Sequence, residues 1–270
     1  MGRPHRTENA AGWYHVFNRG AARQAVFLSD RDRVEFERLL GVVSERFGIR
    51  VHAYCLMTNH YHLLLECPQG GLSDAMHVLG SVYVRHANER AGRDGPLFRS
   101  RFAAKPVSSD EYLLRLVRYI HRNPLAFSTV EQLRSYRWSS LRVYLGRRRT
   151  PSWMTTEKVL AMFGSVDALD RFVTDDDSGA SRRIGPTAWT DAIEVILDEC
   201  LDDGSRQRIG ASVALLVLDR LDGARRDDLA AALRFPSSSA ERMARSRARR
   251  LARDRPELLE VVELVLDFAA

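Results

Sequence analysis

Residues 58–66 have the sequence Thr-Asn-His-Tyr-His-Leu-Leu-Leu-Glu, the most informative stretch in this chain of 270 residues. An apolar run that follows a turn-like Thr-Asn pair predicts a buried strand. Side chains alternate between the two faces of a strand, so His60 and His62 lie on one face and Tyr61 lies on the other. Two imidazoles on one rigid strand form half of a potential metal site.

The segments around this strand predict a mixture of strands and helices. Residues 49–57 form a second strand that turns into the first as a hairpin. The full series is a strand at 13–17, a helix capped by Ser29, the hairpin, a helix at 72–89, an extended segment at 97–107 and a helix at 110–123 that Pro124 ends. This order predicts an α+β fold, a ferredoxin-like antiparallel sheet backed by helices.

The composition changes after about residue 150, which predicts a second domain. We place the first domain at 1–150, a helical connector with an acidic linker at 151–187, and an all-helical domain at 188–270. Within the last, residues 226–233 and the helix from Ser237 resemble a helix-turn-helix. DNA contacts are expected from the small side chain at the helix start and from the arginines behind it, namely Ser238, Arg242 and Arg245. The alternative is a solvated basic face.

The composition favours a basic protein with a polyanionic partner. Forty-one Lys and Arg against thirty-five Asp and Glu give a net charge of +6. The three cysteines, Cys55, Cys67 and Cys200, form no Cys-x-x-Cys pair, which favours a reducing cytoplasm. We find no signal-like apolar segment at the start and no apolar run of membrane-spanning length, so no membrane partner is expected.

The helix at 110–123 supplies the groups that would complete a site. Its apolar residues form a stripe along one side of the helix, and Tyr119 lies at the edge of that stripe. Asn123 follows four residues later on the same face as Tyr119. If this helix covers the 60–66 strand, a divalent cation held by His60, His62 and Asn123 could polarise a phosphodiester, which Tyr119 would attack. Mixed nitrogen and oxygen ligands suit Mg²⁺ or Mn²⁺, and Zn²⁺ stays open.

Simpler interpretations of the same residues exist. The histidines could occupy a polar strand face, Tyr119 could be a boundary aromatic, and Asn123 could merely end its helix. Tyr112 is a rival nucleophile two turns earlier on the same helix. Glu66 shares the face of the histidines and could be a ligand or a base.

Four segments resemble one known family. They are Trp-Tyr-His-Val-Phe-Asn-Arg-Gly at 13–20, Met-Thr-Asn-His-Tyr-His-Leu-Leu at 57–64, Leu-Phe-Arg-Ser-Arg-Phe at 97–102 and Tyr-Ile-His-Arg-Asn-Pro at 119–124. Over residues 10–150 the chain resembles the HUH-type single-tyrosine transposases, relatives of the IS200/IS605 enzymes, most nearly their REP-associated branch. The resemblance implies metal binding by His60 and His62 with Asn123, and Tyr119 as the nucleophile.

The same resemblance implies single-stranded or hairpin DNA as the partner and cleavage to a 5′-phosphotyrosine. The bulky Tyr61 departs mildly from the family pattern, which has an aliphatic residue between the histidines. Basic residues near these motifs are expected to contact DNA, or alternatively to be solvated: Arg19, Arg99, Arg101, Lys105 and Arg122.

These observations lead to one principal hypothesis and two rivals. The principal hypothesis is a metal-dependent DNA strand transferase, a monomer or homodimer in the cytoplasm of a bacterium, associated with the nucleoid. The first rival is a non-catalytic regulator that binds hairpin DNA and retains the fold. The second is a nuclease that uses activated water and forms no covalent link to DNA.

Overall fold

The structure is a computed structural model that describes residues 10–175, 206–221 and 237–255, together with positions 193, 196–197, 226–227, 229–230, 233, 235, 258–259, 261–262 and 265. The chain divides into two compact units, Met1–Asp175 and Asp176–Ala270. Most of the predicted acidic linker and of the helices predicted between 188 and 203 and between 257 and 268 lies outside the described residues. Within the described part of the chain, no helix has the length and apolarity needed to cross a membrane.

The first unit is built on a four-stranded antiparallel sheet. Its strands are β1 (Gly12–Arg19), β2 (Arg50–Leu56), β3 (His60–Cys67) and β4 (Ala103–Pro106). They lie in the order β2-β3-β1-β4, so the β2–β3 hairpin pairs through β3 with β1. The expected α+β fold is confirmed for this unit, and its strand order is that of two interleaved βαβ crossovers.

Two long helices cover one face of this sheet and a third covers the other. Helices α1 (Asp30–Phe47) and α2 (Leu72–Ala91) pack together, and Phe36 of α1 meets Tyr61 of β3 at 4.8 Å between ring centroids. Helix α3 (Asp110–Arg122) lies against β2 and β3 on the opposite face. Its start is fixed by the Ser109 hydroxyl, which accepts from the Tyr112 amide, and its apolar stripe is buried.

Short helices after α3 complete the first unit. They are α4 (Val130–Leu133), α5 (Leu141–Tyr144), α6 (Glu157–Phe163) and α7 (Val166–Thr174). The Arg118 guanidinium of α3 donates to the Phe172 carbonyl of α7 at 2.9 Å. Because α7 is bound to α3 in this way, the first unit extends to Asp175, beyond the boundary that we placed at residue 150.

The second unit contains two described helices, α8 (Arg206–Leu218) and α9 (Ser238–Asp254). Helix α9 begins where the Ser237 hydroxyl accepts from the Ala240 amide. The two helices pack against each other. The helix-turn-helix interpretation of this unit remains a prediction.

Gly20 at the end of β1 has no room for a side chain. A Cβ on Gly20 would lie 2.1 Å from the Gln24 carbonyl oxygen, because the chain folds back through a tight turn with positive φ at Ala22 and Arg23. We expect Gly20→Ala to destabilise the protein by about 2–4 kcal/mol, since backbone rather than a flexible side chain must move. Thermal unfolding measures this. Gly12→Ala in the same strand is the control, because its Cβ would meet only ordinary contacts at 3.7 Å.

His121 of α3 is fully buried and faces away from His60 and His62. Its Nε2 lies 2.8 Å from the Ser140 hydroxyl, and its Nδ1 has no hydrogen-bond partner in the described part of the chain. Burial lowers the pKa of His121 from 6.5 to about 3, because a second ring proton would be buried without an acceptor. These contacts give His121 a structural role.

This buried imidazole predicts acid sensitivity of the fold. Below pH 6.5 the unfolded chain takes up a proton on His121 that the folded chain refuses until about pH 3. The free energy of unfolding therefore decreases as the pH is lowered through that window. At pH 5, this one group lowers it by about 2 kcal/mol relative to pH 7. We expect His121→Gln, which cannot titrate, to lose less thermal stability than the parent between pH 7 and pH 5. An equal loss in both proteins would contradict the assignment.

Candidate functional site

The strand register brings the paired histidines beneath α3. His60 lies opposite Arg19 of β1 and His62 lies opposite Phe17, so these side chains share one face of the sheet. The two imidazole centroids are 5.1 Å apart, with their planes at 85°. His62 is completely buried, whereas His60 keeps 8% of its surface exposed at the end of the strand.

Tyr119 of α3 stands directly over this pair. Its ring contacts His62 edge-on, with centroids 5.2 Å apart and an interplanar angle of 82°. The side chain is almost completely buried, at 2% exposure. Helix α3 therefore lies over the 60–66 strand within a single chain, as the site expected from the sequence requires.

Asn123 closes the site from the C-terminal end of α3. Its Oδ1 lies 3.0 Å from Nε2 of His60, and its Nδ2 donates to the Tyr119 carbonyl at 3.1 Å. The second bond fixes the orientation of the carboxamide, because rotation by 180° would bring two oxygens together. One turn of helix thus places the Tyr119 ring against His62 and the Asn123 amide oxygen against His60.

The surroundings of His60 fit a cation. Its Nδ1 lies 2.6 Å from the Asn59 Oδ1 and its Nε2 lies 3.0 Å from the Asn123 Oδ1, so each ring nitrogen faces a carboxamide oxygen. A neutral imidazole has only one N–H, and one of these contacts therefore needs a second proton or a cation. Two adjacent ligands of an octahedral ion with bonds of about 2.1 Å lie about 3 Å apart, which matches the His60–Asn123 spacing.

His15 of β1 holds His62, and sequence reasoning missed it. The His15 Nε2 lies 3.0 Å from the His62 Nδ1, and both rings are fully buried. Because His15 engages Nδ1, only Nε2 of His62 can serve as a metal ligand. The available signal was the alternation along β1, which places His15 on the same face as Phe17 and Arg19.

Glu66 belongs to a separate cluster at the far end of β3. Its carboxylate accepts from Lys158 and Arg50 and contacts His52 Nε2 at 3.2 Å. Burial alone would raise the pKa of Glu66, but the hydrogen bonds from Lys158, His52 and Arg50 outweigh burial and hold that pKa below its usual value. The alternative role of Glu66 as a ligand or base of the histidine site is therefore not supported.

Tyr112, the rival nucleophile, lies near the other end of α3. It is buried at 2% exposure and sits seven residues before Tyr119. Seven residues of helix span roughly 10 Å, so Tyr112 is two turns away from the Tyr119 position over the imidazoles.

Four of the basic residues expected to contact DNA lie on β1, on β4 and in the loop between α2 and β4. The Arg99 amide donates to the Arg19 carbonyl at 3.0 Å, which ties the loop after α2 to the end of β1. Lys105 of β4 lies opposite His15, on the face that carries His62. Arg101 is exposed in the same loop as Arg99.

Arg122 requires a correction. The sequence predicted a DNA contact, but the side chain is 7% exposed and its guanidinium donates to the Val173 carbonyl of α7 at 3.0 Å. Burying this cation without its carbonyl acceptors would be costly, so it stays with α7. Arg122, like its neighbour Arg118, joins α7 to α3 and is not positioned to contact a phosphate.

Two arginines of α9 also differ from each other in exposure and in their partners. Arg242 is exposed and donates to the Ser239 hydroxyl, whereas Arg245 forms ion pairs with Asp219 after α8 and with Glu241. Arg245 therefore joins α9 to the residue after α8, and its contact with DNA remains a prediction. Ser238 is the first residue of α9, as the sequence expected of a residue at the helix start.

The segment that holds this site is similar to one known family. Residues 10–123 match the family described as "Transposase IS200 like". Among solved structures, a REP-associated tyrosine transposase bound to a REP hairpin has 16% identity and a TM-score of 0.44 over 57% of this chain and 92% of its own. A candidate transposase from Deinococcus radiodurans R1 has 20% identity and a TM-score of 0.32 over 42% of this chain and 91% of its own.

No curated protein matches the chain. The family match runs from the start of β1 to Asn123 and so contains both histidines and the tyrosine of the site. Over residues 10–123, within the first unit, the chain is thus similar to the IS200-like transposases.

Proposed function

We propose that this protein is a transposase that cleaves and rejoins single-stranded DNA through a covalent bond between Tyr119 and a 5′-phosphate. One observation carries the proposal. The phenol of Tyr119 and the carboxamide of Asn123 converge, from one turn of α3, on the imidazoles of His60 and His62. A set that only stabilised the fold would have no need for two carboxamide oxygens facing one imidazole.

His60 Nε2, His62 Nε2 and Asn123 Oδ1 would hold a divalent cation, Mg²⁺ or Mn²⁺. When bound, such an ion polarises the scissile phosphate and neutralises the charge that develops there. The chain itself supplies the orientation, since His15 fixes the ring of His62 and Asn59 fixes that of His60. Asn123 is held in turn by the Tyr119 carbonyl.

Tyr119 would act as the nucleophile. As its oxygen bonds to phosphorus, the phenol loses its proton, the bond from phosphorus to the 3′-oxygen breaks, and that oxygen takes up a proton to become a free 3′-hydroxyl. The phosphotyrosine keeps the energy of the broken bond, so attack by a 3′-hydroxyl rejoins the strand without ATP. The same residues would serve both cleavage and rejoining of the strand.

Basic residues of both units would bind the DNA. Arg19, Arg99, Arg101 and Lys105 would neutralise phosphates of the single strand, and the exposed Arg242 of the second unit would contact a hairpin stem. All four groups of the site come from one chain, so a monomer and a homodimer can both carry it. We further propose that the protein acts in the bacterial cytoplasm, where its DNA lies.

Strand-specific labelling tests the proposal against its rivals. The protein is incubated with Mn²⁺ and hairpin oligonucleotides that have single-stranded flanks, labelled at either end, and the products are separated under denaturing conditions. A 5′-phosphotyrosine predicts that the 3′ label migrates with the protein while the 5′ label is released on a fragment with a free hydroxyl. Binding without cleavage would favour the regulator, and cleavage without a protein-linked fragment would favour the water-dependent nuclease.

A further inference from the structure

A cleft of about 750 Å³ lies beside the site, on the other face of the sheet. It runs between α2 and the segment 96–102 that leads to β4. At the sheet its lining includes Asn18 and Tyr61, the immediate chain neighbours of Arg19 and of both histidines. Because strand side chains alternate, the cleft and the histidine pair lie back to back at one end of β1 and β3.

The inner wall of this cleft is aromatic and apolar. Tyr61 and Phe98 meet edge to face at 5.9 Å between centroids, and Met76 of α2 lies buried alongside. The Asn18 carboxamide donates to the Ser100 carbonyl at 3.2 Å and thereby ties the 96–102 segment to the end of β1. A flat, apolar ligand of limited size suits such a surface.

The rim of the cleft is basic. Arg85 of α2 and Arg101 of the facing segment are exposed and line its opposite sides. One acid, Asp74, lines the cleft about three turns before Arg85 on α2. Two guanidinium groups beside an aromatic wall provide what a nucleotide needs, since arginine binds phosphate and an aromatic ring stacks on the base.

Gly80 gives an independent indication of a ligand. It lies inside α2 and lines the cleft, yet a Cβ added there would meet no atom within 4 Å. Glycine is the most destabilising residue in a helix interior apart from proline. Gly80 has a helical φ and no crowded neighbour, so the fold itself gives no reason for it. Close approach of a ligand to the helix backbone does give a reason.

We propose that this cleft binds one unstacked base of the DNA strand whose phosphate lies at Tyr119. The inference rests on the proposed function and adds a second contact point on the same strand. A strand passing over the ends of β1 and β3 would leave one phosphodiester at the histidines and turn a neighbouring base against Phe98, which Tyr61 supports from beneath. The phosphates on either side of that base would meet Arg85 and Arg101.

Abasic scanning of bound DNA tests the cleft. Hairpins with randomised flanks are first selected for binding to the parent protein, and each flanking base of the selected hairpin is then removed in turn. Removing the base that occupies the cleft should weaken binding by about 5- to 100-fold, the usual effect of losing one stacked base. In Gly80→Leu, which fills the cleft, the same removal should weaken binding less than about twofold.

Two further variants separate this effect from folding. Gly80→Ala should raise Tm by a few degrees because alanine favours the helix, while it weakens binding of the intact hairpin. Val82→Leu, which enlarges a side chain of α2 outside the cleft, should keep the parent's abasic profile. An unchanged profile in Gly80→Leu would overturn the cleft while leaving the proposed function standing. Failure of the parent to bind any hairpin would instead defeat the proposed function.

Discussion

Tyr119→Phe is expected to abolish the covalent protein–DNA adduct, with a loss of at least about 10³-fold in the rate of its formation. The substitution removes one oxygen and leaves the ring in place. That ring is buried at 2% exposure against His62 and His15, so its packing is retained in phenylalanine. DNA binding and Tm should therefore stay close to those of the parent, and the loss is confined to chemistry. The 3′-labelled assay described above measures it.

Tyr112→Phe is the matched control for this result. Tyr112 lies on the same helix and is equally buried, but it stands two turns from the histidines. Its variant should form the adduct at the parent's rate. An adduct that persists in Tyr119→Phe and disappears in Tyr112→Phe would transfer the nucleophile to Tyr112 and refute the geometry on which the proposed mechanism rests.

His60→Ala and His62→Ala should each lower cleavage by at least about 10³-fold and should weaken Mn²⁺ binding at the same time. Each change removes an imidazole whose second nitrogen is already engaged, by Asn59 in one case and by His15 in the other. Two ligands cannot hold the ion as three do. The concentration of free Mn²⁺, measured while the protein is titrated with the ion in the absence of DNA, reports ion binding independently of activity.

Chelation and a distant histidine provide the controls for the metal. EDTA should stop cleavage by the parent and added Mn²⁺ should restore it, but Mn²⁺ should not rescue either alanine variant. His121→Gln should bind Mn²⁺ like the parent, because His121 contacts Ser140 and not the site. Equal Mn²⁺ affinity in the parent and in His60→Ala would remove His60 from the ligand set.

Local patterns in the sequence predicted the parts of the site. The apolar run after Thr58-Asn59 predicted β3, and alternation along it placed His60 and His62 together on one face. The four-residue spacing on α3 placed Tyr119 beside Asn123, which the bond from the Asn123 amide to the Tyr119 carbonyl shows. These inferences needed only the periods of strand and helix, which are fixed by backbone geometry.

Charged side chains were predicted less well, because their partners lie far away in the sequence. Arg122 pairs with a carbonyl 51 residues later, and Arg245 pairs with a carboxylate 26 residues earlier. A run of arginines looks the same whether its members face solvent or bind another helix. The pairing of His15 with His62, across 47 residues, was missed for the same reason.

Strand and helix periods could therefore be inferred from residues that are neighbours in the chain, and with them the α+β order and the paired faces. Packing of α3 over β3, of His15 against His62 and of α7 on the arginines of α3 required the folded chain. The physical reason is that period is a property of local backbone dihedrals, whereas the partner of a buried polar group depends on which distant segment arrives beside it.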